Sequence, residues 1–355
     1  SGLGTYTSAL AITGAPARSI VELWNGSSWT ETTDLSTGRQ NTGTAGADNT
    51  SGLVFGGSVP ASDTAKADSE EWTGAGSDIA AWSTGGSLNT ARHELGSAGT
   101  QTSALGFGGN TGSFTGVTEA YDGSTWTEVG DLNTARDLLA GSGASNTSAL
   151  AFGGNTPPVS ALTENYNGTS WTEVGDLNTA GSARAGVGAT NTAALAVGGS
   201  DGSSQLASNE IWNGTSWTEV GDISGGKRFM AGAGTTTAGL VFGGSPGPTA
   251  NTESWNGSSW TEVNNLNTAR NQLAGLGTQD SALAFGGESP PNVAITEDWN
   301  GNNWVETSDL NTAVRFQGGA GTTTAGLSFG GDNGPVTANT EEWAVPSKAT
   351  NVLTD

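Results

Sequence analysis

The sequence predicts an all-β protein built from repeated four-stranded antiparallel sheets. Three observations support this: an apolar segment ending in Gly-Gly recurs along the chain, each repeat holds four strand-like pieces separated by turn residues, and no segment keeps the 3.6-residue apolar period of a helix. These segments end at Gly14 (a degenerate copy), Gly57, Gly109, Gly154, Gly199, Gly244, Gly287 and Gly331, in steps of 43 to 52 residues. Units of this length that cannot bury their own faces are typical of a β-propeller.

The copy around Gly154 shows the elements in order. The first strand, LLAGSGA (Leu138–Ala144), is rich in small residues, and the second, SALAFGG (Ser148–Gly154), is apolar on both faces. The variable segment NTPPVSA leads to the third strand, LTENY (Leu162–Tyr166), and the turn NGTS leads to the fourth, WTEV (Trp171–Val174). Asn-Gly supplies positive φ cheaply, which suits a tight hairpin. The linker GDLNTA then reaches the next copy.

The third-strand aromatic residues give the number of blades. They are Trp24, Trp72, Tyr121, Tyr166, Trp212, Trp255, Trp299 and Trp343. We therefore expect eight blades in a single domain over residues 1–355, with seven blades as the alternative. The longest step follows from an insertion in the second copy, SVPASDTAKADSEEWTGAGSDIAAW. The last copy lacks a second Trp, and we expect KATNVLTD to supply its fourth strand.

The repeated aromatic residues are expected to pack between blades. Most repeats carry a second Trp at the start of the fourth strand, as at Trp171, Trp217, Trp260 and Trp304. Large aromatic side chains bury much apolar surface, so a structural role is favoured. The alternative is a ring of sugar-stacking aromatic residues, which is weaker because such residues stand singly at an open rim.

Seven of the eight arginines fall in the linker position between copies. They are Arg39, Arg92, Arg136, Arg184, Arg228, Arg270 and Arg315. Repeated acids such as Glu164 and Glu173 are natural partners, so we expect each Arg to tie adjacent blades together through a carboxylate or a backbone carbonyl. The alternative is a cationic ring that grips an anionic ligand.

Composition excludes several classes of function. There are 34 acids against 11 bases, a formal net charge of −23, which disfavours nucleic acid and anionic membrane surfaces as partners. The chain has no cysteine, which excludes disulfides, thiolate nucleophiles and Cys-based metal sites. No apolar run approaches the roughly 20 residues that span a bilayer, so we expect no membrane insertion.

Several segments resemble catalytic or binding motifs but lack a residue that the motif requires. GDISGGK (Gly221–Lys227) has the spacing of a phosphate loop, but Arg228 stands where Ser or Thr must hold magnesium. His93 is the only histidine, and no Ser lies in a nucleophile elbow. Loops such as SDGSS and DNG could hold calcium, but no spaced acid cluster supports this. The acids recur with the repeat, which indicates scaffold rather than a glycosidase pair. We therefore expect no enzymatic activity, no cofactor and no metal.

The order of Gly-Gly, an aromatic residue, a Trp five residues later and an Arg-bearing linker resembles the kelch repeat over essentially the whole chain. The phrasing WNGTSWTEV, LNTAR and SALAFGG is also similar to repeat proteins of marine bacteriophages. The first resemblance implies a β-propeller, and the second implies a place on a virion.

The loops between second and third strands differ most among the copies, and with the linkers they should share one face. Rigid scaffolds commonly carry recognition on such loops, although drift in solvated connectors explains the variation equally well. The candidate ligand-binding residues are Pro60, Asp63, Lys66, Asn110, Phe114, Asn155, Pro157, Asp201, Gln205, Pro246, Pro290, Asn292, Asp332 and Asn333.

We therefore expect a non-enzymatic propeller outside a phage virion, decorating a capsid or associated with a tail or fibre. Its expected partners are other virion proteins or copies of itself, and a glycan or protein of the host surface. The alternative is a secreted or cell-surface glycan-binding lectin or adhesin of a marine microbe. An intracellular kelch adaptor is disfavoured because no partner domain accompanies the repeats.

Overall fold

The computed structural model describes residues 80–345 without a gap. Before them it describes residues 1–5, 8–12, 19–24, 27–31, 35, 38–48, 51–56, 58–59, 64–65 and 69–72. The described residues contain strands and turns but no helix, which confirms the all-β class. They fall into two compact units, one made of Ser1–Ile79 with Val345–Asp355 and the other of Ala80–Ala344. We call these the N-terminal unit and the ring unit.

The N-terminal unit holds the first nine strands. They are β1 (Gly2–Thr5), β2 (Ser8–Ile12), β3 (Val21–Trp24), β4 (Trp29–Glu31), β5 (Gly43–Asp48), β6 (Ser51–Phe55), β7 (Ser58–Val59), β8 (Thr64–Ala65) and β9 (Ser69–Trp72). Strands β1 to β4 form one antiparallel sheet, β5, β6 and β9 form a three-stranded sheet, and β7 pairs with β8. The inner strands β1 and β5 pack side by side.

The ring unit holds the remaining strands. They are β10 (Ala81–Thr84), β11 (Gly96–Thr100), β12 (Ser103–Phe107), β13 (Thr118–Tyr121), β14 (Trp126–Glu128), β15 (Ala140–Ser145), β16 (Ser148–Phe152), β17 (Thr163–Tyr166), β18 (Trp171–Glu173), β19 (Ala185–Thr190), β20 (Ala193–Val197), β21 (Asn209–Trp212), β22 (Trp217–Val220), β23 (Ala231–Gly234), β24 (Gly239–Phe242), β25 (Thr252–Trp255), β26 (Trp260–Val263), β27 (Ala274–Gly277), β28 (Ala282–Phe285), β29 (Thr296–Trp299), β30 (Trp304–Glu306), β31 (Gly318–Thr322), β32 (Ala325–Phe329) and β33 (Thr340–Ala344).

These strands form six four-stranded antiparallel blades. Blade I is β11 to β14, blade II is β15 to β18, blade III is β19 to β22, blade IV is β23 to β26 and blade V is β27 to β30. Blade VI is β31, β32 and β33 with β10 as its outer strand. Each first strand packs against the next one around the axis, and β31 packs back against β11. Six blades therefore close a β-propeller within Ala80–Ala344.

The count of eight repeat sheets is confirmed, and six of them close a ring within Ala80–Ala344. The fourth strand of the second copy, β10, leaves its own sheet and pairs antiparallel with β33 of the last copy, Trp82 opposite Trp343. This pairing fills the place that we assigned to KATNVLTD, so that expectation was wrong; residues 346–355 lie outside the described part of the chain. The ring thus closes over six copies, and a single domain over residues 1–355 stays a prediction.

Aromatic side chains fill the space between adjacent blades. A Phe from the second strand of one blade contacts the fourth-strand Trp of the next, with ring centroids 4.6 to 4.9 Å apart. The pairs are Phe107–Trp171, Phe152–Trp217, Phe242–Trp304, Phe285–Trp82 and Phe329–Trp126. Val197 takes the Phe position beside Trp260. Each of these Phe side chains is 0 % exposed, so the pairs form the core.

The axis is lined by the small residues of the first strands. Gly99, Gly141, Gly232 and Gly275 are among the residues around an axial channel of about 380 Å³. A Cβ at Gly141 would lie 2.4 Å from a neighbouring backbone oxygen, so larger residues do not fit there.

Candidate functional site

Buried ion pairs fix the linkers to the blades that follow them. Arg136 donates to Glu164 at 2.7 Å, and both side chains are at most 2 % exposed. Arg92 pairs in the same way with Glu119. Burial lowers the pKa of these guanidinium groups, and the neighbouring glutamates oppose that shift. These arginines hold each linker on the blade that follows it.

Arg270 shows the same arrangement most completely. Its guanidinium lies 3.0 Å from Glu297, with both side chains 0 % exposed, and it also donates to the backbone carbonyls of Ala284, Gly286 and Ile295. Burial lowers its pKa to about 10, although Glu297 favours the charged form. The same glutamate accepts from the backbone and side-chain amides of Asn267.

Two of the predicted arginines lie one residue after the linker position that Arg92, Arg136 and Arg270 occupy. Lys227 occupies it in place of Arg228 and pairs with Glu253 at 2.6 Å. Val314 occupies it before Arg315. The expectation of one Arg tie for each blade is therefore corrected for Arg228 and Arg315, because a shift of one residue turns the side chain elsewhere.

Arg184 reaches the same slot from a position three residues later. Its guanidinium donates to the carbonyls of Gly198 at 2.8 Å and Thr179 at 3.0 Å, and it lies 3.9 Å from Glu210. In the N-terminal unit, Arg39 is fully buried and donates to the Gly56 carbonyl at 3.3 Å.

The fourth-strand tryptophans also tie neighbouring blades. In five blades the indole N–H donates to a Thr hydroxyl in the third strand of the preceding blade at 3.0 to 3.1 Å. The pairs are Trp82–Thr296, Trp126–Thr340, Trp171–Thr118, Trp217–Thr163 and Trp304–Thr252. Asn209 stands at the Thr position before Trp260, whose indole N–H has no partner among the described residues. The third-strand residues Tyr121, Tyr166, Trp212, Trp255, Trp299 and Trp343 are also buried. Trp24 stacks on Trp29 at 5.4 Å, and Trp72 ends β9.

The linkers and the variable loops meet on one face of the ring unit, as predicted, and we call it the variable face. Isolated β-bridges join each linker to a loop, for example Asp137 to Asn155 and Arg315 to Asp332. The linker residues just before the axial positions vary among the blades, with arginine in two of the six: His93, Asp137, Ser182, Arg228, Asn271 and Arg315. The positions that fail to repeat thus gather on this face.

A closed ring of backbone hydrogen bonds surrounds the axis on this face. One residue from each blade takes part, with φ between +50° and +59°: Glu94, Leu138, Ala183, Phe229, Gln272 and Phe316. Each backbone N–H donates to the carbonyl of the residue in the preceding blade at 2.8 to 3.1 Å, and Glu94 closes the ring onto Phe316. Positive φ is unusual for residues other than glycine, so ring closure holds this backbone in place.

The side chains of this axial ring form the mouth of a cavity of about 110 Å³. Phe229 and Phe316 meet edge to face at 5.5 Å, and Arg315 lies over Phe316 at 5.6 Å. Burial raises the pKa of Glu94 to about 7, with Asp137 contributing further. Burial also lowers the pKa of His93, so its imidazole is held neutral more readily.

A groove beside the mouth brings several predicted residues together. It has a volume of about 490 Å³ and is lined by Glu288, Pro291, Asn292, Ala313, Arg315, Asp332, Asn333 and Gly334. Arg315 crosses it, 2.9 Å from Glu288 and 3.1 Å from Asp332. The Asn292 amide donates to the Asp332 carbonyl at 2.9 Å. Predicted residues Asn292, Asp332 and Asn333 therefore share one groove with Arg315, and Pro290 lies next to lining residue Pro291.

The other candidate residues are spread around the variable face. Asn110 donates to Asp137 at 2.8 Å, and Phe114 bridges to Asn110. Asp201 is exposed and accepts from two backbone amides of its own loop. Asn155 and Gln205 lie in isolated bridges, while Pro157 and Pro246 are exposed. Pro60, Asp63 and Lys66 lie outside the described residues.

Sequence reasoning missed Glu94, Phe229, Glu288 and Phe316 as members of this face. A signal existed, because the linker position that becomes Glu94 or Phe316 holds five different residue types in the six copies of the ring unit. Within the described part of the chain, no group of three or more His, Asp or Glu side chains could hold a metal ion. A helix suited to crossing a membrane is not found there either.

Comparisons with known proteins identify no family, so the class of protein is defined by the fold alone. A scan against protein-family models finds none that matches this chain, and a search of curated proteins finds no similar sequence. The class that the geometry defines is an all-β repeat protein whose four-stranded blades form a propeller.

Proposed function

We propose that this chain is a non-enzymatic recognition propeller carried on the outside of a phage virion, as a capsid decoration or a tail or fibre component. The observation that supports a recognition role is the groove around Arg315. Polar side chains that vary among the copies line this groove on one face of the closed ring of blades. The kelch-like repeat order and the resemblance to marine phage proteins support the family and the virion setting.

The groove favours a ligand rich in hydroxyl groups. Glu288 and Asp332 present acceptors, while Arg315 and the amides of Asn292 and Asn333 present donors. The groove contains two carboxylates and one guanidinium, and the whole chain has a formal net charge of −23. An anionic ligand is therefore disfavoured. A neutral glycan on the host surface is the ligand that we propose.

Adsorption of the purified chain to host cells tests this function. We expect the double variant Asn292→Ala/Asn333→Ala to lose at least tenfold in affinity, about 1.4 kcal/mol, because two hydrogen-bonding amides are removed from the groove. Val305→Ala, at an exposed residue of blade V outside the groove, is the control and should bind as the parent does. Equal binding by all three proteins would contradict the groove.

Mass spectrometry of purified virions tests the setting. We expect this chain at stoichiometric copy number with the other structural proteins. Its presence only in particle-free medium, together with glycan binding, would favour the lectin or adhesin. Turnover of any glycan by the pure chain would contradict a non-enzymatic role in both settings.

A further inference from the structure

The N-terminal unit leaves two large aromatic side chains in solvent. Trp29 in β4 is 49 % exposed and Phe55 in β6 is 43 % exposed. Their counterparts in the ring unit are buried: the equivalent Phe residues are 0 % exposed, and five of the six fourth-strand tryptophans are 4 to 6 % exposed. Within the described residues, the N-terminal unit therefore presents two aromatic side chains that the same repeat buries in the ring unit.

The ring unit shows what covers such faces. A second-strand Phe packs on the fourth-strand Trp of the blade that follows, as Phe107 packs on Trp171 at 4.9 Å. By this rule Phe55 needs a following blade that presents a Trp, and Trp29 needs a preceding blade that presents a Phe. The two exposed faces of the N-terminal unit are thus complementary to each other.

The junction inside the N-terminal unit is already filled. Leu10, Ile12, Val21 and Val54 form a core in which each side chain is 1 to 2 % exposed. Ile12 stands in the Phe position, and the Trp that would face it, Trp82, is used in blade VI. The two sheets therefore behave as two neighbouring blades of a ring.

Two further residues compare the N-terminal unit with the ring unit. Asn41, in the linker between the two sheets, has φ of +57°, within the range of the six axial-ring residues of the ring unit. Glu22 is exposed, whereas its counterpart Glu119 is buried against Arg92 of the preceding linker. Among the described residues, the first sheet thus shows the backbone of a blade but leaves this glutamate uncovered.

We infer that three copies of this chain associate through their N-terminal units, so that three pairs of blades close a composite six-bladed propeller. The same repeat closes with six blades in the ring unit, and each N-terminal unit supplies two. At each of the three junctions, Phe55 of one copy packs on Trp29 of the next. The interface is head to tail, which a rotation of one third closes into a ring.

The mass of the full chain in solution tests this trimer. We expect three times the 35.3 kDa of one chain by light scattering or native mass spectrometry. Trp29→Glu and Phe55→Glu should each reduce the mass threefold, because each buries a charge at every junction. Val305→Glu, at an exposed apolar residue of the ring unit, is the matched control and should remain trimeric. A monomeric, dimeric or tetrameric parent would overturn the inference.

Mixing the two variants tests the head-to-tail geometry. A Trp29→Glu chain keeps Phe55, and a Phe55→Glu chain keeps Trp29, so one intact junction can form between them. We expect a one-to-one dimer in sedimentation velocity, while each variant alone stays monomeric. A mixture that contains monomers alone, or either variant alone as a dimer, would overturn the head-to-tail junction.

Discussion

At the scale of single residues, buried Arg–Glu ion pairs hold the linkers on the blades. Arg270 and Glu297 are both fully buried, so neither charge can return to water when its partner is removed. Breaking a buried pair from one side is more costly than losing an exposed pair, because the remaining charge stays desolvated.

We therefore expect Arg270→Ala to lower the free energy of unfolding by about 3–5 kcal/mol. Arg315→Ala is the control, since Arg315 is 30 % exposed and its ion pairs should contribute no more than about 1 kcal/mol. Urea unfolding followed by Trp fluorescence measures both. Equal losses in the two variants would show that the buried tie has no special role.

Glu94 gives the axial mouth a dependence on pH. Burial and Asp137, with a smaller contribution from Asp332, raise the pKa of Glu94 from 4.5 to about 7, while Arg315 lowers it. Its Oε1 lies 3.9 Å from Nδ1 of His93. The folded state then holds a proton that the unfolded chain releases, so stability from this group falls as pH rises between these two values.

We expect Glu94→Gln to remove this part of the pH dependence, because the amide cannot ionise. The melting temperature of the parent relative to the variant should fall from about pH 5 to about pH 8. Thermal unfolding across that range measures the difference. A constant difference would mean that Glu94 is already ionised at the lower end.

At the scale of elements, β10 matters most because it belongs to the second copy by sequence and to blade VI by pairing. Trp82 is 6 % exposed, contacts Phe285 and Trp343, and donates to Thr296 at 3.0 Å. One short strand therefore completes the last blade and closes the ring.

We expect Trp82→Ala to cost about 3–5 kcal/mol, in the range for a buried Trp. Trp260→Ala is the matched control and should cost less, because its side chain is only partly buried and its indole N–H has no partner among the described residues. Chemical unfolding of both variants measures the difference. A larger loss for Trp260→Ala would argue against β10 as the closing strand.

Strand order within a repeat could be read from the sequence, but strand pairing between distant copies could not. The spacing of Gly-Gly, the third-strand aromatic and the fourth-strand Trp defined four strands in every copy. Nothing local shows that Trp82 pairs with Trp343, because AWST would fit the outer edge of either sheet. The absent second Trp of the last copy was the one available sign.

At the scale of the whole molecule, repeated and non-repeated residues have separate roles. The repeated Phe and Trp residues pack between blades and the repeated Arg–Glu pairs hold linkers on blades, whereas the variable loops lie on the variable face. The sequence predicted this division, and the ligand-binding role of Asn292, Asp332 and Asn333 stays a prediction. The one-residue shift of Arg315 was readable, because LNTAV places Val314 where LNTAR places Arg270, but its ion pairs with Glu288 and Asp332 depend on loops that the repeat does not define.

Closure of six blades by β10 is the central claim, and an engineered disulfide tests it most directly, since the natural chain has no cysteine. Ser83 pairs with Glu342 in the closed ring, and in its own sheet it would lie opposite Glu71. Directly opposed strand residues are close enough for a disulfide. We predict that Ser83→Cys/Glu342→Cys crosslinks on mild oxidation and that Ser83→Cys/Glu71→Cys does not. Crosslinking of the second pair alone would contradict the six-bladed ring.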